Sequence, residues 1–149
     1  MILNRKITIK NDLREFERLT AFLEETASEW KFSNDLLFHL NLVVEEVVSN
    51  IILYGFEDNP GEYEILIELS LDREKLTISV SDEGIEFNPL LVSPPDDLDK
   101  PVNERKIGGL GVYFVRQIMD KVEYFRKNKS NVLVLTKKFS NNTKNGTNF

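Results

Sequence analysis

Residues 34–55 read NDLLFHLNLVVEEVVSNIILYG, and Ser33 stands just before them. Ser33 and Asn34 are good helix N-caps, because a short side-chain oxygen can accept from the unpaired N–H groups of a first turn. At 100° per residue, Leu36, Leu40, Val43, Val44, Val47, Val48 and Ile51 fall on one broad face, which predicts a core helix running to Tyr54. Asn41, Glu45 and Ser49 lie on the opposite side, where they can face water. His39, Glu46 and Asn50 form a separate polar stripe, within about 40° of one another. Glu46 and Asn50 are i and i+4, stacked one above the other, so both can serve one ligand. A carboxylate and an amide oxygen are hard ligands suited to Mg²⁺, or to a base beside a metal. His39 is about 10 Å from Glu46 along the axis and reads as a surface or satisfied core histidine.

Outward from this helix, residues 2–9 (ILNRKITI) alternate partially and predict an opening strand. Asp12 and Glu15 form a D-x-x-E capping box, followed by Leu13, Phe16, Leu19, Leu23, Ala27 and Trp30 at helical spacing. Downstream, Asp58-Asn59-Pro60-Gly61 is a turn signal. Ile65, Ile67, Leu69 and Leu71 alternate, as do Leu76, Ile78 and Val80, which predicts a hairpin with one buried face. Residues 85–107 hold four of the five prolines and read as a long loop. A third helix is expected over Leu110–Lys121. A final hairpin pairs Val122–Lys127 with Val132–Phe139 across the turn 128–131. The order β-α-α-β-β-loop-α-β-β predicts an α+β fold: a two-layer sandwich whose sheet is mixed but mainly antiparallel, with helices on one face. One domain is expected over residues 1–139, with a polar tail at 140–149.

Composition narrows the chemistry. The chain has 149 residues, no Cys and one His, which excludes thiolate zinc sites, disulfides, Cys nucleophiles and multi-His metal centres. Its 19 basic and 25 acidic side chains give a net charge of −6, unlike a nucleic-acid groove or a protein bound to anionic membrane. The N-terminus MILNRKITIK has no apolar signal-peptide core, and no uninterrupted apolar run of membrane length occurs. The expectation is a cytoplasmic protein without nucleic-acid or membrane partners.

Two glycine segments remain. Ser81-Asp82-Glu83-Gly84 follows directly on a predicted strand, so Asp82 could fix an exocyclic amine while Gly84 permits close backbone approach. Ile107-Gly108-Gly109-Leu110-Gly111 opens the third helix, where exposed N–H groups and the helix dipole favour phosphate. It is not a dinucleotide fingerprint: counting Gly109 as the first position, the sixth is Phe114 rather than Gly or Ala, and a loop rather than a strand precedes it. No G-x-x-x-x-G-K-[ST] motif occurs.

Taken in order, these segments resemble the Bergerat ATP-binding fold of the gyrase, heat-shock chaperone, histidine kinase and MutL superfamily. Glu46-x-x-x-Asn50 resembles its N box, Asp82-Glu83-Gly84-Ile85-Glu86-Phe87-Asn88-Pro89 its D-x-G-x-x-F-N/D-P box, and residues 107–111 its glycine box. The likeness covers roughly residues 5–139. Together with the run Arg116–Tyr124, it is strongest toward small stand-alone anti-sigma-factor serine kinases. The resemblance implies Glu46 as general base and Asn50 as Mg²⁺ ligand and ATP contact. It implies Asp82 as the adenine-reading carboxylate, with Gly84, Phe87 and Leu110 as further ATP-binding residues. Gly108, Gly109 and Gly111 would cradle the phosphates, with residues 85–107 as an ATP lid. Arg105 and Lys106 are assigned to the γ-phosphate from position and charge. The cofactors implied are ATP and Mg²⁺. The partners are a STAS-type anti-sigma-factor antagonist as phosphate acceptor, a sigma factor, and by family likeness a second copy of the chain. A second reading is an ATP-binding switch that sequesters its partner with little or no transfer. Tyr54 and Gly55 stand where many relatives carry a histidine after the N box.

Overall fold

The computed structural model describes residues 1–56, 60–86, 88 and 109–139. Five strands, β1 (Leu3–Lys10), β2 (Glu64–Leu71), β3 (Lys75–Asp82), β4 (Lys121–Lys127) and β5 (Ser130–Lys138), form one sheet in the order β1-β2-β3-β5-β4. Every pairing among them is antiparallel. Helices α1 (Phe16–Trp30), α2 (Asn34–Tyr54) and α3 (Gly109–Ile118) supply the second layer.

Register explains why one sheet face is core. Ile7 pairs with Ile67, Ile67 with Val80, Val80 with Leu133, and Leu133 with Tyr124, so one transverse row crosses all five strands on the apolar face. The next row, Leu69–Ile78–Leu135–Val122, repeats the pattern. Ile65, Ile67 and Leu135 have no solvent exposure. Truncating any of them to Ala would cost about 2–5 kcal/mol through lost transfer energy and a residual cavity.

α2 begins as its sequence predicts. Ser33 Oγ accepts from Leu36 N at 3.1 Å, and Leu36, Leu40, Val43, Val44, Val47 and Val48 are buried. At 21 residues, α2 is long and apolar enough to cross a membrane by length and composition. A reading that required an unbroken apolar run missed this, because His39, Asn41, Glu45 and Glu46 interrupt it. These six side chains belong instead to the core cluster shared with α1 and the sheet, as expected of the central helix of a two-layer fold.

Several local readings are corrected. The face carrying Asn41, Glu45 and Ser49 is half-buried rather than open: Thr20 Oγ1 of α1 donates to Glu45, and Asn41 Oδ1 is buried with no partner among the described residues. Asp12 caps a 3-10 turn, Leu13–Glu15, by accepting from Arg14 N, while Glu15 Oε1 accepts from Lys10 N rather than closing the box onto Asp12. α1 ends at Trp30 and is capped by Lys31, whose left-handed conformation (φ 61°) lets Phe32 N reach Ala27 O. α3 stops at Ile118, short of the expected Lys121. Asp120 N donates to Thr136 O and Lys137 Nζ to Ile118 O, which draws the chain into β4. The last turn is also tighter than predicted. Asn128 and Lys129 both have positive φ (51° and 69°), giving a two-residue hairpin that leaves Ser130 and Asn131 inside β5.

Candidate functional site: the helix and strand ends beside Glu46 and Asp82

α2, α3 and the loop leaving β3 supply the residues that the sequence singled out. On α2, Glu46 and Asn50 are half-buried, and Asn50 Nδ2 donates to Glu46 Oε1 at 3.3 Å. That bond commits the amide nitrogen and leaves Asn50 Oδ1 as an acceptor for a ligand. α3 packs on α2 at this level. A Cβ placed on Gly111 would lie 1.6 Å from Glu46 Oε1 and 2.0 Å from its carboxyl carbon, so only glycine lets the carboxylate rest against the start of α3.

The end of β3 is built just as closely. Asp82 is 6% exposed, and its Oδ1 accepts from Gly84 N at 2.7 Å and from Asn131 Nδ2 at 3.1 Å. Among the described residues no donor reaches Oδ2, so the carboxylate keeps one oxygen for a ligand. Burial raises its pKa above the ordinary 3.8, opposed by those two hydrogen bonds and by the charge of Arg126. Gly84 lies against the end of α2: a Cβ there would meet Gly55 O at 2.5 Å, and Ile85 N donates to the same carbonyl at 2.8 Å. The Asp82 loop is thereby tied to the C-terminal end of the helix that carries Glu46 and Asn50.

Three residues that sequence reasoning missed complete this end of the sheet. Asn131 stands directly opposite Asp82 in the β3–β5 register, and Arg126 opposite Asn131 in the β4–β5 register. Asn131 Nδ2 also donates to Ile85 O at 2.7 Å, and Tyr124 Oη donates to Asn131 Oδ1 at 2.5 Å. Arg126 donates to Gly84 O at 2.9 Å. The signal was available, since Asn131, Leu133 and Leu135 alternate on one face. Placing Asn131 in a four-residue turn hid it.

His39 lies two turns before Glu46 on α2, about 10 Å along the axis. It is half-buried, and its ring contacts Phe38 edge-on at 6.0 Å between centroids. Gly109 and Leu110 open α3 as expected. Phe87, Arg105, Lys106, Gly108 and nearly all of the expected lid lie outside the described residues, as does the 140–149 tail. Among the described residues no cluster of three or more His, Asp or Glu side chains could cage a metal alone. The amide oxygen of Asn50, left free beside the Glu46 carboxylate, nevertheless fits Mg²⁺, which keeps waters and takes few protein ligands when it arrives with phosphates.

With the geometry in place, comparison with known proteins is decisive: residues 9–137 match the model of the histidine kinase-like ATPase domain. The chain belongs to this family. Two curated members of similar sequence are the serine-protein kinase RsbW of Bacillus mycoides (strain KBAB4) and that of Bacillus cereus (strain Q1). They are 29% and 30% identical over 132 residues, covering 87% of this chain and 80% of each relative. Among solved structures, the RsbU and RsbW domains of Rv1364c from Mycobacterium tuberculosis superpose with a TM-score of 0.58 at 15% identity. That match covers 91% of this chain and 32% of the longer one, and it shows the shared fold. The all-antiparallel sheet under its helices is thus the ATPase-domain fold, and Glu46, Asn50, Asp82 and the α3 glycines occupy one end of it.

Proposed function

We propose that this chain is an ATP- and Mg²⁺-dependent serine/threonine protein kinase of the anti-sigma type, acting on a STAS-type antagonist in the cytoplasm. The observation that carries this reading is the placement of the Glu46 carboxylate against the first turn of α3. A base held there lies beside the helix terminus suited to phosphate. The names of the RsbW relatives support serine as the acceptor.

In the proposed reaction, Asp82 Oδ2 accepts a hydrogen bond from the adenine amine. The N–H groups at the start of α3, with Arg105 and Lys106, hold the phosphate oxygens. Asn50 Oδ1 would hold Mg²⁺, which when bound offsets the charge of the triphosphate. The partner's serine oxygen attacks the γ-phosphorus, its proton passes to Glu46, the bond to the β–γ bridging oxygen breaks, and ADP leaves. The protein contributes chiefly position and charge, as phosphoryl transfer requires. The one histidine, His39, lies seven residues before Glu46 on α2, and the acceptor in this reading is the partner's serine.

Incubation with ATP, Mg²⁺ and a candidate STAS protein, followed by phosphoserine detection, tests the reading. Phosphate on the partner, cut by roughly 10²–10⁴-fold in Glu46→Gln, is the expected result. Tight ATP binding without transfer would make the chain a sequestering switch, and failure to bind ATP would overturn both.

A further inference from the structure

Asp82 faces a choice that its chemistry alone does not make. A carboxylate with both oxygens free can accept two parallel hydrogen bonds from the N1–H and 2-amino groups of guanine. One available oxygen suits the lone 6-amino donor of adenine. In this structure the choice is made by β4 and β5. Asn131 Nδ2 donates to Asp82 Oδ1 (3.1 Å) and to Ile85 O (2.7 Å). Because both of these are acceptors, only the nitrogen of the amide can face them. Tyr124 Oη, donating to Asn131 Oδ1 at 2.5 Å, holds the amide in that orientation from behind. Gly84 N takes a further share of Oδ1 at 2.7 Å, so that oxygen is doubly occupied before any ligand arrives.

Resting on the reading of Asp82 as the base-facing carboxylate, we infer that Asn131, oriented by Tyr124, is the positioning residue that makes Asp82 a one-oxygen acceptor and so selects adenine over guanine nucleotides. The same amide fixes the first peptide of the loop beyond β3. With Gly84 N on Asp82, Ile85 N on Gly55 O and Arg126 on Gly84 O, each backbone polar group of Gly84 and Ile85 has a partner. Neither the carboxylate nor the loop root can therefore turn to present Oδ1 without breaking a bond. Leu133 and Leu135, the apolar neighbours of Asn131 on its own face, could not do this work.

The test is the ratio of GTP to ATP dissociation constants, measured by calorimetry with Mg²⁺ on the full chain and on Asn131→Leu and Tyr124→Phe. Leucine matches asparagine in branching and heavy-atom count but frees one lone pair of Oδ1, so the ratio is expected to fall about tenfold. Tyr124→Phe only loosens the amide, and a fall of about threefold is expected. A residue that merely supports the fold would weaken both nucleotides alike and leave the ratio fixed. An unchanged ratio in Asn131→Leu with ATP still bound overturns the inference and leaves the ATP-kinase reading standing. Should Asn131→Leu fail to fold, an unchanged ratio in the near-isosteric Tyr124→Phe overturns it instead. A wild-type chain that binds no ATP overturns both.

Discussion

Gly111 approaches Glu46 so closely that any side chain at position 111 would stand where the Glu46 carboxylate now lies. The obstructing atoms are the far end of a flexible side chain, so in Gly111→Ala it is Glu46 that must move. Alanine is also the better helix former by about 1 kcal/mol. Stability and catalysis should therefore separate. The melting temperature is expected to hold or rise slightly, while phosphoryl transfer falls about a hundredfold as the base leaves its position. Thermal melts with a phosphotransfer assay decide it, and full activity in this variant would refute the assignment of Glu46.

Glu46→Gln keeps the shape and the amide–carbonyl contact available to Asn50 but removes the proton acceptor. Phosphoryl transfer should drop by roughly 10²–10⁴-fold, the usual worth of a positioned general base. ATP affinity should change little, because the carboxylate is assigned to the acceptor hydroxyl rather than to the nucleotide. A comparable loss of ATP binding would move Glu46 from catalysis to ligand binding.

Asp82→Asn tests the other end of the site and carries a pH signature. Burial, the leading cause, raises the Asp82 pKa above 3.8. The folded state then holds more protons than the unfolded state between the two values. The contribution of Asp82 to stability is greatest below the unfolded pKa and declines as pH rises through the folded one. Asparagine can keep both bonds received at Oδ1 and never ionises. Relative to wild type, this variant should gain stability as pH climbs from the ordinary 3.8 through the raised folded value. Its ATP affinity should fall at least about tenfold, because an amide nitrogen facing the adenine amine cannot accept. Melting curves across that range check the first expectation, and a pH-independent difference would contradict it.

Much of this was legible in the chain because burial imposes periodicity. The alternation of Ile65, Ile67, Leu69 and Leu71 and the helical spacing of Leu36 to Val48 each follow from one apolar face. The structure reproduces both within a residue or two at the ends. Glu46, Asn50 and Asp82 stood out because each is a polar residue on or beside such a face. The supporting residues were harder. Asn131 and Tyr124 matter through a cross-strand register, which depends on where a turn falls rather than on composition. The end of α3 was overextended for a related reason. Met119 and Lys121 are compatible with a helix, and what stops it is the pull of β5 on Asp120 and Ile118, a tertiary contact that no local pattern announces.

The turn that sets this register is itself open to test. Asn128 and Lys129 occupy left-handed conformations, φ 51° and 69°. Asparagine tolerates that region, whereas a lysine Cβ clashes with backbone there at a cost of roughly 1–2 kcal/mol. An Asn-Gly pair is the favoured occupant of such two-residue hairpins. Lys129→Gly should therefore stabilise the protein, by about 0.5–1 kcal/mol once the added freedom of glycine in the unfolded chain is offset. Because the register is retained, Asn131 stays opposite Asp82, and the ratio of GTP to ATP affinities should not move. Chemical denaturation measures the gain, and nucleotide titration checks the ratio. If Lys129→Gly loses stability, the two-residue turn is wrong, and with it the pairing that places Asn131 on Asp82.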